Sequence, residues 1–347
     1  MEPQIAMPTV ARRRTPLVRL VLGIVIGSAA AWLIVSTAGG LGAAIEAIHR
    51  MRLRFVILAV GLAVVRLALY AVQLTLIGRR SGPLSLAAAW GLALVVFGFG
   101  AVTPAAPAEG LVIASHELRR RGHSKRQARL TLGLSEWFAQ RSFYAAASVD
   151  LLVVVSVGKL KLADSWPFVL VAVVVIAALS ATAVLARRPA SAEWVVVLLG
   201  AVRIQRRQPR EAQKETAGAL HAELMAVVGS AAARIRLATV SAGAVLCDAG
   251  ILWATCHAAG FAMRPELVLL AATAGTMVSW VPLLPSGLGM VEAAIPAILH
   301  RFGAPLDDAL AATIVYRSAG TLLPAIAGAL AIAGLRAGRA TGPLSRR

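Results

Sequence analysis

Long apolar runs alternate with short clusters of arginine and lysine along almost the whole chain. Several of the runs are long enough to cross the hydrocarbon core of a bilayer as helices. Taken in order, they cover residues 20–38, 55–77, 84–102, 136–157, 166–186, 237–262, 266–299 (interrupted) and 309–335. Hydrophobic residues make up 59% of the chain, more than soluble domains usually carry. The pattern therefore predicts an all-α polytopic membrane protein with about eight transmembrane segments.

Two of the apolar stretches are interrupted by paired prolines. Pro104 and Pro107 break the first, and Pro282 and Pro285 break the second. Proline removes a backbone donor and clashes with the preceding turn, so an unbroken helix does not cross at either place. The freed backbone groups must be satisfied by protein or by a wet cavity, because lipid offers them no partner. We therefore expect two proline- and glycine-broken re-entrant hairpins.

The two broken stretches share one order of residues: a PxxP pair, an acid, a glycine and, fourteen residues later, a charge. The members are Pro104, Pro107, Glu109, Gly122 and Glu136 in the first stretch, and Pro282, Pro285, Glu292, Gly303 and Arg317 in the second. The flanking charges place the entry of the first hairpin on the cytoplasmic side and that of the second outside. The sequence thus predicts an inverted repeat, the architecture of alternating-access carriers.

Ionisable residues also stand inside the apolar runs. They are Arg66, Glu136, Arg141, Asp150 and Asp248. Each costs about 2.5–3.5 kcal/mol to insert, so we expect each to have a partner or to face a cavity. For Arg66 two interpretations remain: it faces an acid or a cavity, or its guanidinium snorkels along a tilted helix. For the acids the alternatives are a role in substrate handling and a purely structural ion pair.

The chain carries 35 Lys and Arg against 16 Asp and Glu, a formal net charge of +19. The basic residues cluster between the apolar runs, which is typical of cytoplasmic loops and favours contact with anionic lipid heads rather than nucleic acid. We therefore expect a multi-pass protein of the cell (plasma) membrane with cytoplasmic N- and C-termini. Residues 119–129 and 187–236 are expected on the same side.

This pattern divides the chain into a basic N-terminus (residues 1–19), a transmembrane domain (20–338) and a basic tail (339–347). Within the domain, the repeat halves cover about residues 54–186 and 237–338 and are joined by the basic segment 187–236. Apolar residues recur on one face over residues 211–235, which predicts an amphipathic helix on the inner membrane surface.

No motif indicates a metal, a cofactor or a catalytic residue. Cys247 and Cys256 have no CxxC or Cys/His metal spacing, and no nucleotide-binding motif is present. We therefore expect no metal, no cofactor and no enzymatic activity.

One stretch carries a family resemblance. From Pro282 to Pro324 it reads PLLPSGLGMVEAAIPAILHRFGAPLDDALAATIVYRSAGTLLP. It resembles the flippase-like transmembrane region of lysylphosphatidylglycerol synthases, a family that includes stand-alone integral membrane proteins. The matching residues are Pro285, Gly287, Gly289, Glu292, Gly303, Tyr316 and Arg317. The first-half stretch TPAAPAEGLVIASHELRRRGHSKRQA is similar to the family's first motif.

The resemblance implies lipid translocation rather than synthase chemistry, since no aminoacyl- or sugar-transfer domain is recognised in this sequence. The first motif departs from the family. Many relatives have Gly-Glu where this chain has Glu109-Gly110, and Glu-Arg where it has Glu136-Trp137, with Arg141 one turn later. The first-half residues are therefore carried over less securely than those of the second half.

The candidate lipid-headgroup site is centred on the second motif. Ser286, Gly287 and Gly289 open a half-helix whose amide N–H groups would attract a phosphate. Glu292 would bind a cationic headgroup, and Arg317 would bind a lipid phosphate or neutralise Glu292. The full candidate set is Glu292, Arg317, Tyr316, Ser286, Gly287, Gly289, Pro282, Pro285, Glu109, Pro104 and Pro107. Arg66, Glu136, Arg141, Asp150 and Asp248 are the supporting charges.

These observations favour a translocase for an anionic or zwitterionic phospholipid or a lipid-linked precursor, working by alternating access. A second interpretation is a non-transporting membrane partner of a separate lipid or cell-envelope synthase. A third is a membrane-embedded lipid glycosyltransferase, which needs an acid on an outer loop. Glu46 and Asp164 are the obvious candidates for that acid, and neither lies in a motif.

Overall fold

The computed structural model describes residues 46–102, 106–157, 170, 172–178, 180–181, 221–279, 287–328 and 330, and over these residues the chain is all-helical. The principal helices are α1 (Leu53–Ser81), α2 (Leu86–Val102), α3 (Ala106–Arg120), α4 (Lys125–Ser156), α5 (Ala231–Ala258), α6 (Pro265–Ser279), α7 (Met290–Arg301) and α8 (Leu306–Arg317). A π-helical turn (Ser318–Leu322) continues α8 into a further helical stretch over residues 323–328. The predicted span at residues 20–38 and most of the one at 166–186 lie outside the described residues.

Four of the described helices are long and apolar enough to cross a membrane. They are Leu53–Arg80, Lys125–Ser156, Ala231–Ala258 and Leu306–Gly328. Two shorter apolar helices, Leu86–Phe97 and Pro265–Ser279, fall below that length. Large apolar side chains on these helices face outward, as a lipid environment requires; Ile57 is 62% exposed and Leu246 is 61% exposed. The described residues thus form a helical membrane protein.

The helices fall into two sets of four with matching contacts. In the first set α1 packs on α2, α2 on α3 and α3 on α4, while α1 also contacts α4. In the second set α5 packs on α6, α6 on α7 and α7 on α8, while α5 also contacts α8. Each set therefore contains a long helix, a pair of shorter helices packed against each other, and a second long helix. In the second set that last helix is α8 with its continuation, Leu306–Gly328.

The turn before the last helix of each set has the same geometry. In the first, His123 N–H donates to Leu118 O at 3.2 Å; in the second, Ala304 N–H donates to Leu299 O at 3.1 Å. Gly122 (φ 91°) and Gly303 (φ 102°) occupy the same place in the two turns, a left-handed conformation that side chains disfavour. The two glycines are 181 residues apart in the chain, and each is the glycine of one of the two matching sequence stretches.

The two sets meet along α1 and α5, which run antiparallel. Arg52 N–H, at the start of α1, donates to Ala258 O at the end of α5 at 2.9 Å. Near the other ends, the Ser241 hydroxyl donates to Gln73 Oε1 at 3.0 Å. Gly250 allows close approach: a Cβ added there would lie 3.2 Å from Leu62 Cδ1. The first helix of one set therefore runs opposite to the first helix of the other.

The predicted amphipathic helix over residues 211–235 is interrupted in the structure. A helical segment at residues 221–228 ends before Gly229 and Ser230, and Ser230 caps α5 by accepting from Ala233 N–H at 3.1 Å. Val227 and Val228 are buried with Ile77, Phe138 and Leu237. The apolar face of this segment thus packs on α1, α4 and α5, because those helices offer it an apolar surface within the protein.

The antiparallel arrangement of α1 and α5 predicts which cysteine pairs will cross-link. In a Cys247→Ser, Cys256→Ser background, Leu62→Cys with Gly250→Cys should be joined by a short thiol-to-thiol reagent. Leu62→Cys with Val240→Cys should not, since Val240 lies about 15 Å further along α5. The measurement is gel mobility after cleavage at a protease site placed between α4 and α5. Cross-linking of the Val240 pair alone would contradict the register of α1 against α5.

Candidate functional site

An ion pair between Arg66 and Asp248 lies at the contact between α1 and α5. The Arg66 Nη1 group donates to Asp248 Oδ1, and Arg66 Nη2 donates to Gly320 O. The guanidinium also lies over the Phe97 ring of α2, 5.3 Å from its centroid. The side chains of Arg66 and Asp248 are only 16% and 18% exposed. Of the two interpretations left open for Arg66, the structure shows that it faces an acid.

A proline makes the carbonyl of Gly320 available to Arg66. Pro324 has no N–H, so it cannot donate to Gly320 O, four residues earlier, as a helical residue would. The chain takes a π-helical turn here, with Leu323 N–H donating to Ser318 O. The carbonyl of Gly320 is thereby released from the helix and accepts from Arg66. Within a membrane this contact satisfies a backbone group that lipid would leave unpaired.

Asp248 also binds Tyr316. The Tyr316 hydroxyl donates to Asp248 Oδ2 at 2.9 Å, and the side chain of Tyr316 is buried. Both carboxylate oxygens of Asp248 are therefore engaged, one by α1 and one by α8. This carboxylate links the first helix of one set to both long helices of the other.

A second hydrogen-bonded group lies beside the ion pair, on the α1–α4 side. The Tyr70 hydroxyl donates to Glu136 Oε1 at 2.6 Å, and the Tyr70 ring stands edge-on to Phe97 at 5.1 Å. One turn further along α1, Gln73 donates to Ser135 O at 2.6 Å. Phe97 thus touches both the Arg66 guanidinium and the Tyr70 ring, so one aromatic side chain of α2 separates the two polar groups.

Glu292 and Arg317 form a further pair at the start of α7. Arg317 Nε donates to Glu292 Oε1 at 3.0 Å, and Gly289 N–H donates to Glu292 Oε2 at 2.7 Å. Gly289 takes φ 82° and Gly287 φ 65°, conformations suited to glycine just before the helix begins. The side chains of Glu292 and Arg317 are 21% and 11% exposed. Glu292 therefore caps its own helix and holds α8 at the same time.

Two neighbouring residues of α8 join these centres. Tyr316 reaches Asp248 on α5, and Arg317 reaches Glu292 on α7. Adjacent helical residues point about 100° apart, so a single turn of α8 contacts both groups. A movement of this turn would alter the Arg66 cluster and the Glu292 pair together.

The structure brings together part of the predicted set. It joins Glu292 to Arg317 and Gly289, and Asp248 to Arg66 and Tyr316. Arg141 lies elsewhere on α4, 5.1 Å from the Trp137 ring. Asp150 is buried near the end of α4, and its Oδ2 has no hydrogen-bond partner among the described residues. Pro107 and Glu109 lie in the first turn of α3, while Pro104, Pro282, Pro285 and Ser286 lie outside the described residues.

Several residues of the central cluster were not predicted from the sequence. They are Tyr70, Gln73, Phe97, Ser241 and Gly320. Arg66, Tyr70 and Gln73 are spaced i, i+4, i+7 within an apolar run, which places them on one helical face and gives a signal for two of the five. Phe97 and Gly320 have no such signal, because one is an apolar residue in an apolar helix and the other acts through its carbonyl. Over the residues that the structure describes, no three His, Cys, Asp or Glu side chains are grouped closely enough to hold a metal ion.

Removing either partner of the Arg66–Asp248 pair should destabilise the fold. Arg66→Met or Asp248→Leu is expected to lower the free energy of unfolding by about 3 kcal/mol, because the remaining charge is left without its partner. The double variant should recover most of this loss. The matched controls are Arg126→Met, Glu223→Leu and their combination, at an ion pair whose arginine is 46% exposed. Their free energies of unfolding should stay within about 1 kcal/mol of the wild type. Unfolding in mixed detergent micelles measures all six variants; equal losses at both pairs would contradict the assignment.

Comparison with known proteins agrees with the geometry. The family described as "Lysylphosphatidylglycerol synthase TM region" matches residues 20–328, which covers most of the chain and includes every described helix up to the end of α8. No curated protein matches the chain. The match includes both broken stretches and the Glu292 and Tyr316-Arg317 positions on which the resemblance was based. The chain therefore belongs to the lysylphosphatidylglycerol synthase TM region family.

Proposed function

We propose that this protein is a flippase-like lipid translocase that moves a charged-headgroup phospholipid, or a lipid-linked precursor, across the cytoplasmic membrane by alternating access. The observation that carries the proposal is the Glu292–Arg317 pair, which lies at the start of a short helix and remains partly exposed. It follows directly on Gly287 and Gly289, whose positive φ values open the backbone just before α7.

The helix arrangement supports an inverted repeat. The two sets of four helices have matching contacts and matching turns, and their first helices run antiparallel. Two like units with opposite direction are what an inverted repeat produces. In this proposal α2–α3 and α6–α7 are the re-entrant hairpins, each too short to span the membrane twice and each packed on two long helices. A substrate site between such hairpins would open to each side in turn.

The chemistry of the pair suits a phospholipid headgroup. Arg317 presents a guanidinium that binds phosphate through paired N–H groups, and Glu292 presents a carboxylate that binds an amine. At rest each neutralises the other, which lowers the cost of holding charge within the membrane. The amine of a zwitterionic or aminoacylated headgroup would bind Glu292 while its phosphate binds Arg317. An anionic headgroup would bind Arg317 alone, in place of Glu292.

The distribution of basic residues supports the proposed orientation. The end of α1, the α3–α4 turn and the segment before α5 lie together, since His123 contacts Gly82 and Arg126 pairs with Glu223. This end of the bundle carries basic residues from three separate loops. Dense Lys and Arg mark the cytoplasmic side. We place this end, and both termini, in the cytoplasm of a cell whose plasma membrane holds the protein.

The alternative is a non-transporting partner of a separate synthase. It is favoured by the fact that both oxygens of Glu292 already have partners, Arg317 and Gly289. In that case the pair would hold α7 against α8 and do nothing more. Substitutions at Glu292 and Arg317 distinguish a translocase from a non-transporting partner.

The orientation predicts opposite labelling at the two ends of α4. Lys125→Cys and Ser156→Cys are both exposed positions, 31 residues apart on one candidate span. In a Cys247→Ser, Cys256→Ser background and in intact cells, an impermeant thiol reagent should label position 156 and not position 125. Cells opened before labelling serve as the control, because both positions should then react. Labelling of position 125 alone in intact cells would reverse the orientation.

The transport role predicts separate effects on stability and movement. Glu292→Gln and Arg317→Gln should remain folded in the membrane but lose most lipid translocation, because the remaining partner cannot bind a complete headgroup. The exchange Glu292→Arg with Arg317→Glu should not restore movement, since each charge would then meet the wrong part of the lipid. Fluorescent-lipid translocation in vesicles and thermal unfolding in detergent are the two measurements. Arg126→Gln, on the exposed pair, is the control.

A purely structural pair gives the opposite result. Each single substitution would then lower the thermal stability, and the exchange would restore it, because the charges would again face each other. Normal translocation by stable Glu292→Gln protein would also contradict the proposal.

A further inference from the structure

A cavity lies at the predicted cytoplasmic end of the bundle, away from the Glu292 pair. It is a shallow pocket that is open over most of its face, with a volume of about 700 Å³. It is lined by Arg79, Gly82, Pro83, Leu84, Ser85, Ala88 and Arg121. The α1–α2 turn forms one wall and the end of the α3 helix contributes Arg121. The cavity thus combines two arginines with an apolar floor.

The two arginines are held in place by the protein. Arg79 Nε donates to Leu84 O at 3.1 Å, so its guanidinium is fixed across the α1–α2 turn. Arg121 donates from Nε and Nη2 to Glu117 Oε1 at 3.3 Å and 3.2 Å, one helical turn earlier. Each contact leaves further N–H groups of the guanidinium to donate elsewhere, since arginine has five. Two fixed guanidinium groups on one cavity are suited to a phosphate.

The start of α2 also lines the cavity. Ser85 caps this helix by accepting from Ala88 N–H at 3.2 Å, and both residues line the cavity. The α2 helix is 17 residues long, and the positive end of its dipole favours an anion at this position. This electrostatic contribution has the same sign as that of the arginines.

A buried histidine lies directly behind the wall of the cavity. His123 is 3% exposed, and neither of its ring nitrogens has a hydrogen-bond partner among the described residues. A Cβ added to Gly82 would lie 3.0 Å from His123 Nε2, so the ring packs against Gly82, one of the residues that line the cavity. A buried nitrogen without a partner costs about 1–3 kcal/mol.

We propose that this cavity binds the phosphate group of an anionic ligand, with Arg79 and Arg121 as its charged contacts. The apolar residues Pro83, Leu84 and Ala88 beside the arginines favour a lipid headgroup, whose glycerol and first methylene groups would lie on them. A soluble phosphate offers the same charge without the apolar part. The inference rests on the proposed orientation, and it does not require that lipid is moved.

Binding by purified full-length protein in a neutral detergent tests the proposal. The probes are short-chain dihexanoyl phosphatidylglycerol, inorganic phosphate and dihexanoyl phosphatidylcholine, measured by titration calorimetry. The first should bind more tightly than the others. Arg79→Gln with Arg121→Gln should weaken binding by about tenfold or more, because charge-assisted hydrogen bonds are lost. His123→Gln, which keeps hydrogen-bonding capacity, should have a smaller effect.

The matched control is Arg126→Gln, which removes one basic residue from the same end of the protein without touching the cavity. It should bind as the wild type does. Thermal unfolding without ligand confirms that each variant is folded. Phosphatidylglycerol binding that millimolar phosphate does not displace supports a lipid headgroup; displacement by phosphate supports a soluble phosphate at the same site. Undiminished binding by the folded double arginine variant, or equal loss in Arg126→Gln, would overturn the proposal.

A separate variant distinguishes this site from the transport site. In protein that carries Glu292→Gln and Arg317→Gln, the proposed transport site is removed, and the phosphatidylglycerol binding that remains should still fall about tenfold or more on adding Arg79→Gln with Arg121→Gln. If binding is lost there and kept in the double arginine variant, the ligand occupies the Glu292 site and the cavity proposal fails, while the proposed translocase stands.

Discussion

The constraint on which the structure depends is the pairing of Arg66 with Asp248 in an apolar setting. A charge within the membrane is costly unless it has a partner, and these two residues come from helices more than 180 residues apart in the chain. Their pairing fixes the rotation and the register of α1 against α5. The Arg66 guanidinium also donates to the carbonyl of Gly320, to which Pro324 cannot donate. The Asp248 carboxylate also accepts from the Tyr316 hydroxyl. Three helices are thereby held by one pair of side chains.

The pair lies near matching places in the two sets of helices. Arg66 and Asp248 are separated by 182 residues, almost the 181 residues that separate the matching turns at Gly122 and Gly303. The residue that matches Arg66 at the 181-residue spacing is Cys247, and Asp248 lies one position beyond it. The pair therefore joins neighbouring, not identical, places in the two sets of helices.

The Glu292–Arg317 pair, away from the crossing, is enclosed to about the same degree as Arg66 and Asp248. The Glu292–Arg317 pair lies against the start of a short helix, where a glycine and not a side chain provides the N-cap. Residue 317 follows Tyr316 directly, so events at this pair are linked mechanically to the crossing. The basic cavity near Arg79 and Arg121 lies at the opposite end of α1 from its junction with Ala258.

The sequence by itself determined the class of the protein and the long apolar helices among the described residues, because hydrophobic periodicity acts locally. It also located Gly122 and Gly303, since a turn with positive φ depends on the residue itself. It did not determine partners. Whether Arg66 would snorkel or pair depended on Asp248, and Glu136 met Tyr70 rather than another charge. The amphipathic stretch before α5 was broken at Gly229 and packed on protein, because α1, α4 and α5 together present an apolar surface that the sequence of the stretch does not contain. Which charge neutralises which is decided only when helices distant in sequence are packed together.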